Sequence, residues 1–477
     1  MNRQYNLTID KRLKRHWLKI AVACALLAAL AIWFGSSTTR PFLGKPLEAN
    51  ANQLQRATSL PVNHRAEELL VFLGLSGGGT RAAALAYGVL QELAAHTIST
   101  SEGARRVLDE VDVISSVSGG SFTNAYFGLF GDRIFADFKQ DMLLRPIESD
   151  LLKGLFKPAH WRDLASPYYG RSDMAAAYYD RHVFDGKTFA DIDGASSPWI
   201  IINATDIGTG DRLVFTRGVF DLLCIDYDSY PIARAVAASS GVPGAATPIA
   251  MPNHAGRCGY TLPAALRRFE DPDRHPLLAA KYQSYFSYLE PHRRPWLHLV
   301  DGGVTDNLGL REFYTFYSLG DEFAHSVSEL VGDHVSDVLI ISVNAAVEHP
   351  LDWASRADTP GEREALAAMT HIQMHNFTTD TLYIVREAYR SWQQRRAERA
   401  EQGNFDFVEV AFARLEDDAE RAYLNELPTS LQLDEEQVDR IIAAGRRLLR
   451  DAPHFQRFLA RHRVGSGGDD AVARGER

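Results

Sequence analysis

Three short stretches of the chain carry residue types that do chemistry. The first is Ser116-Val117-Ser118-Gly119-Gly120, which closes the apolar run Val111 to Val117 (VDVISSV). A serine between a buried strand and a helix can occupy a sharp turn that exposes its hydroxyl, provided that small residues stand two positions to either side. Here those positions are Ser116 and Gly120, so the G-x-S-x-G pattern is met except at its first glycine. Taken alone, Ser118 could equally cap the helix that follows. The second stretch is Ser76-Gly77-Gly78-Gly79-Thr80-Arg81, after Leu69 to Leu75 (LLVFLGL). Consecutive glycines at a helix start let backbone N–H groups converge on an anion. Gly74 to Gly79 has the glycine spacing of a phosphate-binding loop, but Thr80-Arg81 stands where Lys-Ser/Thr is needed, which argues against a nucleotide. The third is Asp301-Gly302-Gly303, at the end of Trp296 to Val300. An aspartate at the carboxyl end of a sheet strand faces the crevice where such folds bind ligands, although a plain Asx turn has the same sequence.

Together the three are complementary. Acyl-ester hydrolysis needs a nucleophile, a base to take its proton, and preorganised donors for the oxyanion. Ser118, Asp301 and the glycine loop offer one of each.

The elements that must hold them follow from the apolar pattern. Leu69 to Leu75, Val111 to Val117, Trp199 to Ala204, Leu213 to Thr216, Trp296 to Val300 and Val338 to Val343 read as strands, several of them apolar throughout, and helical patterns lie between them. Near-continuous apolar strands alternating with helices predict a mainly parallel sheet covered on both faces, a three-layer α/β/α sandwich. After Pro350 the pattern is chiefly helical: Glu362 to Arg399 is long and charged, Glu435 to Leu449 is amphipathic, and Phe405 to Phe412 fits one more strand. The division expected is a basic segment 1–16, an apolar segment 17–34, a linker 35–67, a catalytic domain 68–350, a mostly helical region 351–463 packed on it, and a Gly- and charge-rich tail 464–477.

The motifs SGGGTRA, SxSGGS and DGGVTDNLG, in this order and spacing, resemble those of the patatin-like phospholipase family. The resemblance covers about Leu69 to Asn344. Ala235 to Pro248 (AVAASSGVPGAATP) is similar to the family's A-x-x-A-S-x-A-x-P region, and Leu427-Pro428-Thr429-Ser430 through Gly445 looks like a tail of bacterial members. It implies a Ser118–Asp301 dyad on a patatin-like fold, hydrolysing acyl esters of phospholipids or lysophospholipids through an acyl-enzyme. Gly77, Gly78 and Gly79 then supply oxyanion donors, Arg81 supports their loop, Val117 and Gly119 complete the elbow, and Gly302 and Gly303 shape the acid loop. Ser116 in place of the elbow glycine, and Ser76 in place of an acid that often opens the glycine loop, depart from the family pattern. A carboxylesterase or thioesterase of smaller acyl substrates, and a catalytically silent membrane scaffold, are the alternatives.

Other candidates carry less. A Ser-Asp-His triad would draw on His325, His334 or His349, none with a distinctive neighbourhood, and His298 precedes the acid. Asp206 ends another strand. Tyr168, Tyr169, Tyr178 and Tyr179 could line a lipid-facing lid or simply pack. Nothing calls for a metal or an organic cofactor.

The 477 residues carry a net charge of −10, which argues against nucleic acid as a partner. Cys24 lies in the apolar N-terminal run, so one intramolecular disulfide is available, Cys224 to Cys258, with two free thiols as the alternative. At the N-terminus Arg3, Lys11, Arg12, Lys14, Arg15 and Lys19 precede the fifteen uncharged residues Ile20 to Phe34. That run is shorter than the roughly 20 residues of a comfortable span, and extending it to Trp17 brings it near the lower limit. It reads as a signal anchor, or as a signal peptide cleaved near Gly35–Ser37. Positive charge before the span places the body on the extracytoplasmic side, the periplasm in a Gram-negative cell.

Overall fold

In the computed structural model, Lys19 and residues 39–48, 68–192, 197–262, 271, 273, 276–311, 336–347, 357, 359, 361–399 and 403–463 are described. The strands are β1 (Leu69–Leu75), β2 (Thr97–Thr100), β3 (Gly103–Arg106), β4 (Val111–Val117), β5 (Trp199–Asp206), β6 (Asp211–Phe215), β7 (Ile249–Pro252), β8 (Trp296–Asp301), β9 (Asp337–Asn344) and β10 (Asn404–Ala411). The principal helices are α1 (Gly79–Ala95), α2 (Gly119–Phe130), α3 (Ile147–Leu155), α4 (Pro158–Leu164), α5 (Arg171–His182), α6 (Ile232–Ser239), α7 (Pro276–Tyr288), α8 (Glu362–Arg399), α9 (Glu435–Arg450) and α10 (Pro453–Arg461).

The main sheet runs β10-β9-β1-β4-β5-β8-β7, with β6 also paired to β5. From β10 to β5 the pairing is parallel. The strands β6, β7 and β8 make it antiparallel at the far side. Side chains alternate between the two faces of a strand, and β1 obeys this. Leu69, Val71, Leu73 and Leu75 enter the larger core with α1, α2 and α9. Phe72 joins Val113, Ile201 and Ile340 in a second core closed by Leu308, Leu310 and Val385 of α8. Apolar groups on both faces of the central strands make this an α/β/α sandwich. At β4 the alternation is stepped by a bulge beside Asp112, whose carboxylate accepts from the Val71 N–H at 2.9 Å. The segment Phe405 to Phe412 supplies a strand, and β10 extends the parallel sheet beside β9.

One orientation differs from the strand-end argument for Asp301. β8 runs antiparallel to β5 and overlaps it by three pairs only, from Ala204↔Asp301 to Asp206↔Leu299. Val117 pairs with Asn203 and Ala204 with Asp301, so Asp301 lies one register step beyond Val117, level with Ser118. The aspartate therefore reaches the crevice on a strand that descends toward it, not on one that ends beside its parallel neighbours.

Cys224 and Cys258 are joined in a disulfide across 34 residues of chain. Among the described residues no helix is long and apolar enough to cross a membrane. The apolar run 20–34 lies outside the described residues, as do His325, His334 and His349.

Candidate active site

Ser118 follows the last residue of β4 and precedes α2, with φ 49° and ψ −117°. A non-glycine residue at positive φ is uncommon and costs on the order of 1–3 kcal/mol, so the fold must hold it there. Its N–H donates to Ser239 Oγ at 2.9 Å, and its hydroxyl donates to Asp301 Oδ2 at 2.8 Å. Both side chains are buried. Asp301 Oδ1 accepts from the Gly303 N–H at 2.8 Å, so Gly303 aims the second oxygen at Ser118. Burial pushes the Asp301 carboxyl up to about 6, and the bonds from Gly303 and Ser118 hold it back from rising further.

The close approach expected at Gly120 is present, since a Cβ there would lie 2.7 Å from the Ser76 carbonyl oxygen, and it is closer still at Gly119. A Cβ there would lie 2.0 Å from the Gly79 carbonyl oxygen, so the serine turn and the glycine loop meet backbone to backbone. Ser116 is accommodated because its side chain turns away from that contact. Its hydroxyl donates to the Ile201 carbonyl at 3.1 Å and accepts from Asn124 and from Ser121. Ser76, likewise, donates to the Gly77 carbonyl and accepts from the Ala345 N–H at 2.8 Å. Val117 is fully buried in the strand, and Gly302 packs against the Asn203 carbonyl.

The three loop glycines are not equivalent. The Gly77 N–H is engaged by the Asn307 carbonyl at 3.0 Å, which removes it as an oxyanion donor. Gly78, at φ +140°, and Gly79 have N–H groups with no acceptor among the described residues. They open α1, at the positive end of its dipole. Arg81 lies beneath them, buried, and donates from Nε to the Ala345 carbonyl at 3.0 Å, to the Leu427 carbonyl, and to Thr429 Oγ1 at 3.1 Å. Burial lowers its guanidinium to about 10. The Thr80 N–H donates to the Ser430 carbonyl at 2.8 Å, so the Leu427–Ser430 segment braces the glycine loop from outside.

Several expectations separate at this point. The structure brings Ser118, Asp301, Gly78 and Gly79 together, with Arg81 supporting the loop. Asp206 belongs elsewhere: its carboxylate accepts from Arg294 at 2.6 Å, Tyr288 at 3.0 Å and the Gly208 N–H, as a buried structural acid. His298 is exposed on β8. The tyrosine quartet divides, because Tyr179 packs 4.9 Å from Phe122 in the core, Tyr178 donates to Asp150, and Tyr168 is exposed. Ser239 carried no role in the sequence reading. Its hydroxyl donates to the Asn203 carbonyl at 2.6 Å and receives the Ser118 N–H. The signal for it was present in the A-x-x-A-S stretch at Ala235 to Ser239. Asn203 completes the support by donating to Ser115 Oγ and the Ser116 carbonyl, both at 2.9 Å.

Residues 73–314, about half of the chain, match the family model described as patatin-like phospholipase. Among solved structures, the chain is similar to human GIVD cytosolic phospholipase A2, with 14 % identity and a TM-score of 0.35, over 61 % of this chain and 48 % of that one. It is also similar to that enzyme in complex with methyl gamma-linolenyl fluorophosphonate, with 11 % identity and a TM-score of 0.35, over 84 % of this chain and 62 % of that one. It thus spans about half the length of the first of these chains. No curated protein matches it. The family match runs through the glycine loop, the serine turn and the aspartate loop in one stretch, and on that ground the chain belongs to the patatin-like phospholipase family.

Proposed function

We propose that the chain is a serine-dependent lipid acyl hydrolase that cleaves fatty acyl esters of phospholipids or lysophospholipids. The observation that carries this reading is the 2.8 Å hydrogen bond from a serine held at φ 49° to a buried carboxylate. In acylation Ser118 Oγ bonds to the acyl carbon while Asp301 Oδ2 takes its proton. The oxyanion is met by the N–H groups of Gly78 and Gly79, with the Arg81 charge beneath the loop. Collapse of the intermediate breaks the ester bond, and Asp301 returns the proton to the departing alcohol oxygen. Water then attacks the acyl-enzyme, with Asp301 again as base, and Ser118 is restored. Losing one oxyanion donor typically costs about 10²–10³ in turnover, which is reason enough for a braced loop.

The cell-biological part of the reading is a signal anchor at residues 17–34 with the catalytic body outside the cytoplasm. The charge order of the N-terminus supports it. So does the Cys224–Cys258 disulfide, since such bonds persist in oxidising compartments.

A fluorophosphonate probe is expected to label the wild type and not Ser118→Ala, and vesicle phospholipid is expected to be deacylated by the wild type alone. Equal labelling of both chains would overturn the nucleophile. Hydrolysis of short p-nitrophenyl esters without any of vesicle lipid would replace the lipid substrate by a small acyl ester.

A further inference from the structure

Residues 151–171 form the surface that runs from α3 through α4 to the start of α5, and they expose the wrong kind of side chain for water. Phe156 is 79 % exposed, Tyr168 55 %, Leu152 53 % and Trp161 41 %. The Trp161 indole N–H donates to the Leu155 carbonyl at 3.0 Å, so its polar edge is satisfied within the protein and the ring presents apolar surface. Pro158, Ala159 and Pro167 are exposed in the same stretch. Scattered apolar residues on a surface need no explanation, but a contiguous set marks a binding face.

Two further observations name the occupant. Within 151–171 the charges are Lys153, Lys157, Arg162 and Arg171 against Asp163, with Lys153 also paired to Asp150 at 3.5 Å, a basic excess in a chain whose net charge is −10. Aromatic and apolar groups interspersed with an excess of cations suit the interface of an anionic bilayer. The second observation is where the chain returns from its apolar run. Thr39 Oγ1 donates to Asp163 at 2.6 Å, and Ser166 Oγ donates to the Thr39 carbonyl at 3.3 Å. Phe34, the end of the run, is five residues before Thr39, a covalent reach of at most about 17 Å. Thr39, the first described residue after the run, is therefore held against the stretch that carries the apolar patch.

The same side leads to the catalytic serine. Immediately after Tyr168, Arg171 donates to the Gly244 carbonyl at 3.3 Å and the Ser172 N–H to Thr247 Oγ1 at 3.2 Å. The loop so held begins at Gly241, whose carbonyl accepts the Asp301 N–H at 3.0 Å, and next to it Val242 is exposed. We infer that the face formed by Leu152, Phe156, Trp161 and Tyr168 docks on an anionic lipid bilayer and presents the Ser118 crevice to that leaflet. The orienting role rests on the lipid substrate proposed above; the docking itself does not.

The test uses the full chain with Ser118→Ala, so that no lipid is consumed, and Cys24→Ser, so that one labelling site can be introduced. An environment-sensitive fluorophore is attached at Phe156→Cys or, as control, at Glu102→Cys. Glu102 is in the β2–β3 turn, whose neighbour Ser101 is bonded to Glu68 at the amino end of β1, away from the serine turn. Each chain is reconstituted in phosphatidylglycerol/phosphatidylcholine vesicles with or without a nitroxide on the lipid acyl chain. Quenching at 156 is expected to exceed that at 102 by about threefold or more. Equal quenching at the two sites overturns the proposal. So does a fluorophore at 156 already shielded from aqueous iodide without vesicles, since another part of the chain or a second copy then covers the patch. A kinetic arm separates this result from the catalytic reading: Leu152→Ser with Trp161→Ser should slow vesicle-lipid hydrolysis about fivefold or more and leave short-ester hydrolysis unchanged. A wild type that hydrolyses neither substrate sinks the proposed function, while the quenching still decides the surface.

Discussion

The substitution Asp301→Asn separates stability from activity, because the same burial that suits the carboxylate to its role penalises its charge. The carboxyl moves from 3.8 to about 6 on folding, chiefly through desolvation. A folded-state value raised above the unfolded one means that ionisation destabilises the native state: stability is full below 3.8 and falls as pH rises through about 6. The difference between those two values corresponds to about 3 kcal/mol, all of it lost above pH 7. Asparagine keeps the shape and carries no charge, so it escapes that loss. Its Oδ1 can still accept from Gly303 and its amide can donate to Ser118 Oγ. Thermal unfolding of the two chains in one mild detergent should therefore coincide near pH 3.5 and separate through pH 4–6, with Asp301→Asn unfolding on the order of 5 °C higher at pH 8. Turnover of an acyl ester should fall about 10²–10⁴-fold, the usual worth of a general base. For the wild type, kcat/KM should rise with pH and level off above about 6, as the base ionises. An asparagine variant no more stable than wild type at pH 8, or one whose stability gain is the same at pH 3.5, refutes the buried-charge account. Near-normal turnover of that variant refutes Asp301 as the base.

Other substitutions probe the parts that hold the dyad. Gly119→Ala puts a methyl 2.0 Å from the Gly79 carbonyl oxygen, backbone against backbone. Overpacking of this kind should cost about 1–3 kcal/mol in chemical denaturation and lower turnover about 10²-fold by moving the oxyanion donors. Ser239→Ala removes the acceptor of the Ser118 N–H and the donor to the Asn203 carbonyl. Leaving those groups unpaired should cost about 1–3 kcal/mol and reduce kcat about tenfold with KM unchanged, as steady-state kinetics would read. Cys258→Ser opens a 34-residue loop and should lose about 3–4 kcal/mol of stability on the chain-entropy estimate, with activity intact at 25 °C. Equal unfolding midpoints with and without reductant would contradict it.

Much of the site could be read from the sequence because each chemical group stands at a junction that the sequence marks. An apolar strand run followed by glycines states that a turn follows, and Ser118, Gly77 to Gly79 and Asp301 all occupy such turns. The special backbone at Ser118 was foreseeable for the same reason, since Gly119 and Gly120 remove side chains where another backbone must pass. The departures at Ser76 and Ser116 were legible as departures, but not as tolerable ones. Their tolerance depends on partners 269 and 85 residues away, Ala345 and Ile201.

Local pattern thus determined most of the strands, though not β2, β3 or β7, the layered α/β/α class and the short list of candidate residues, because periodicity and turn chemistry act over a few neighbouring residues. Only the tertiary structure decided which loop N–H groups are free, since Gly77 loses its own to Asn307 while Gly78 and Gly79 keep theirs. It alone turned β8 antiparallel, set Ser239 against the Ser118 N–H, and laid Leu427 to Ser430 against Arg81 and Thr80. It also bonded Thr39 to Asp163 and Ser166, in the stretch that exposes Trp161 and Tyr168. Each of these depends on hydrogen bonds and burial between segments far apart in the chain, where the identity of one residue says nothing about the other until the fold brings them together.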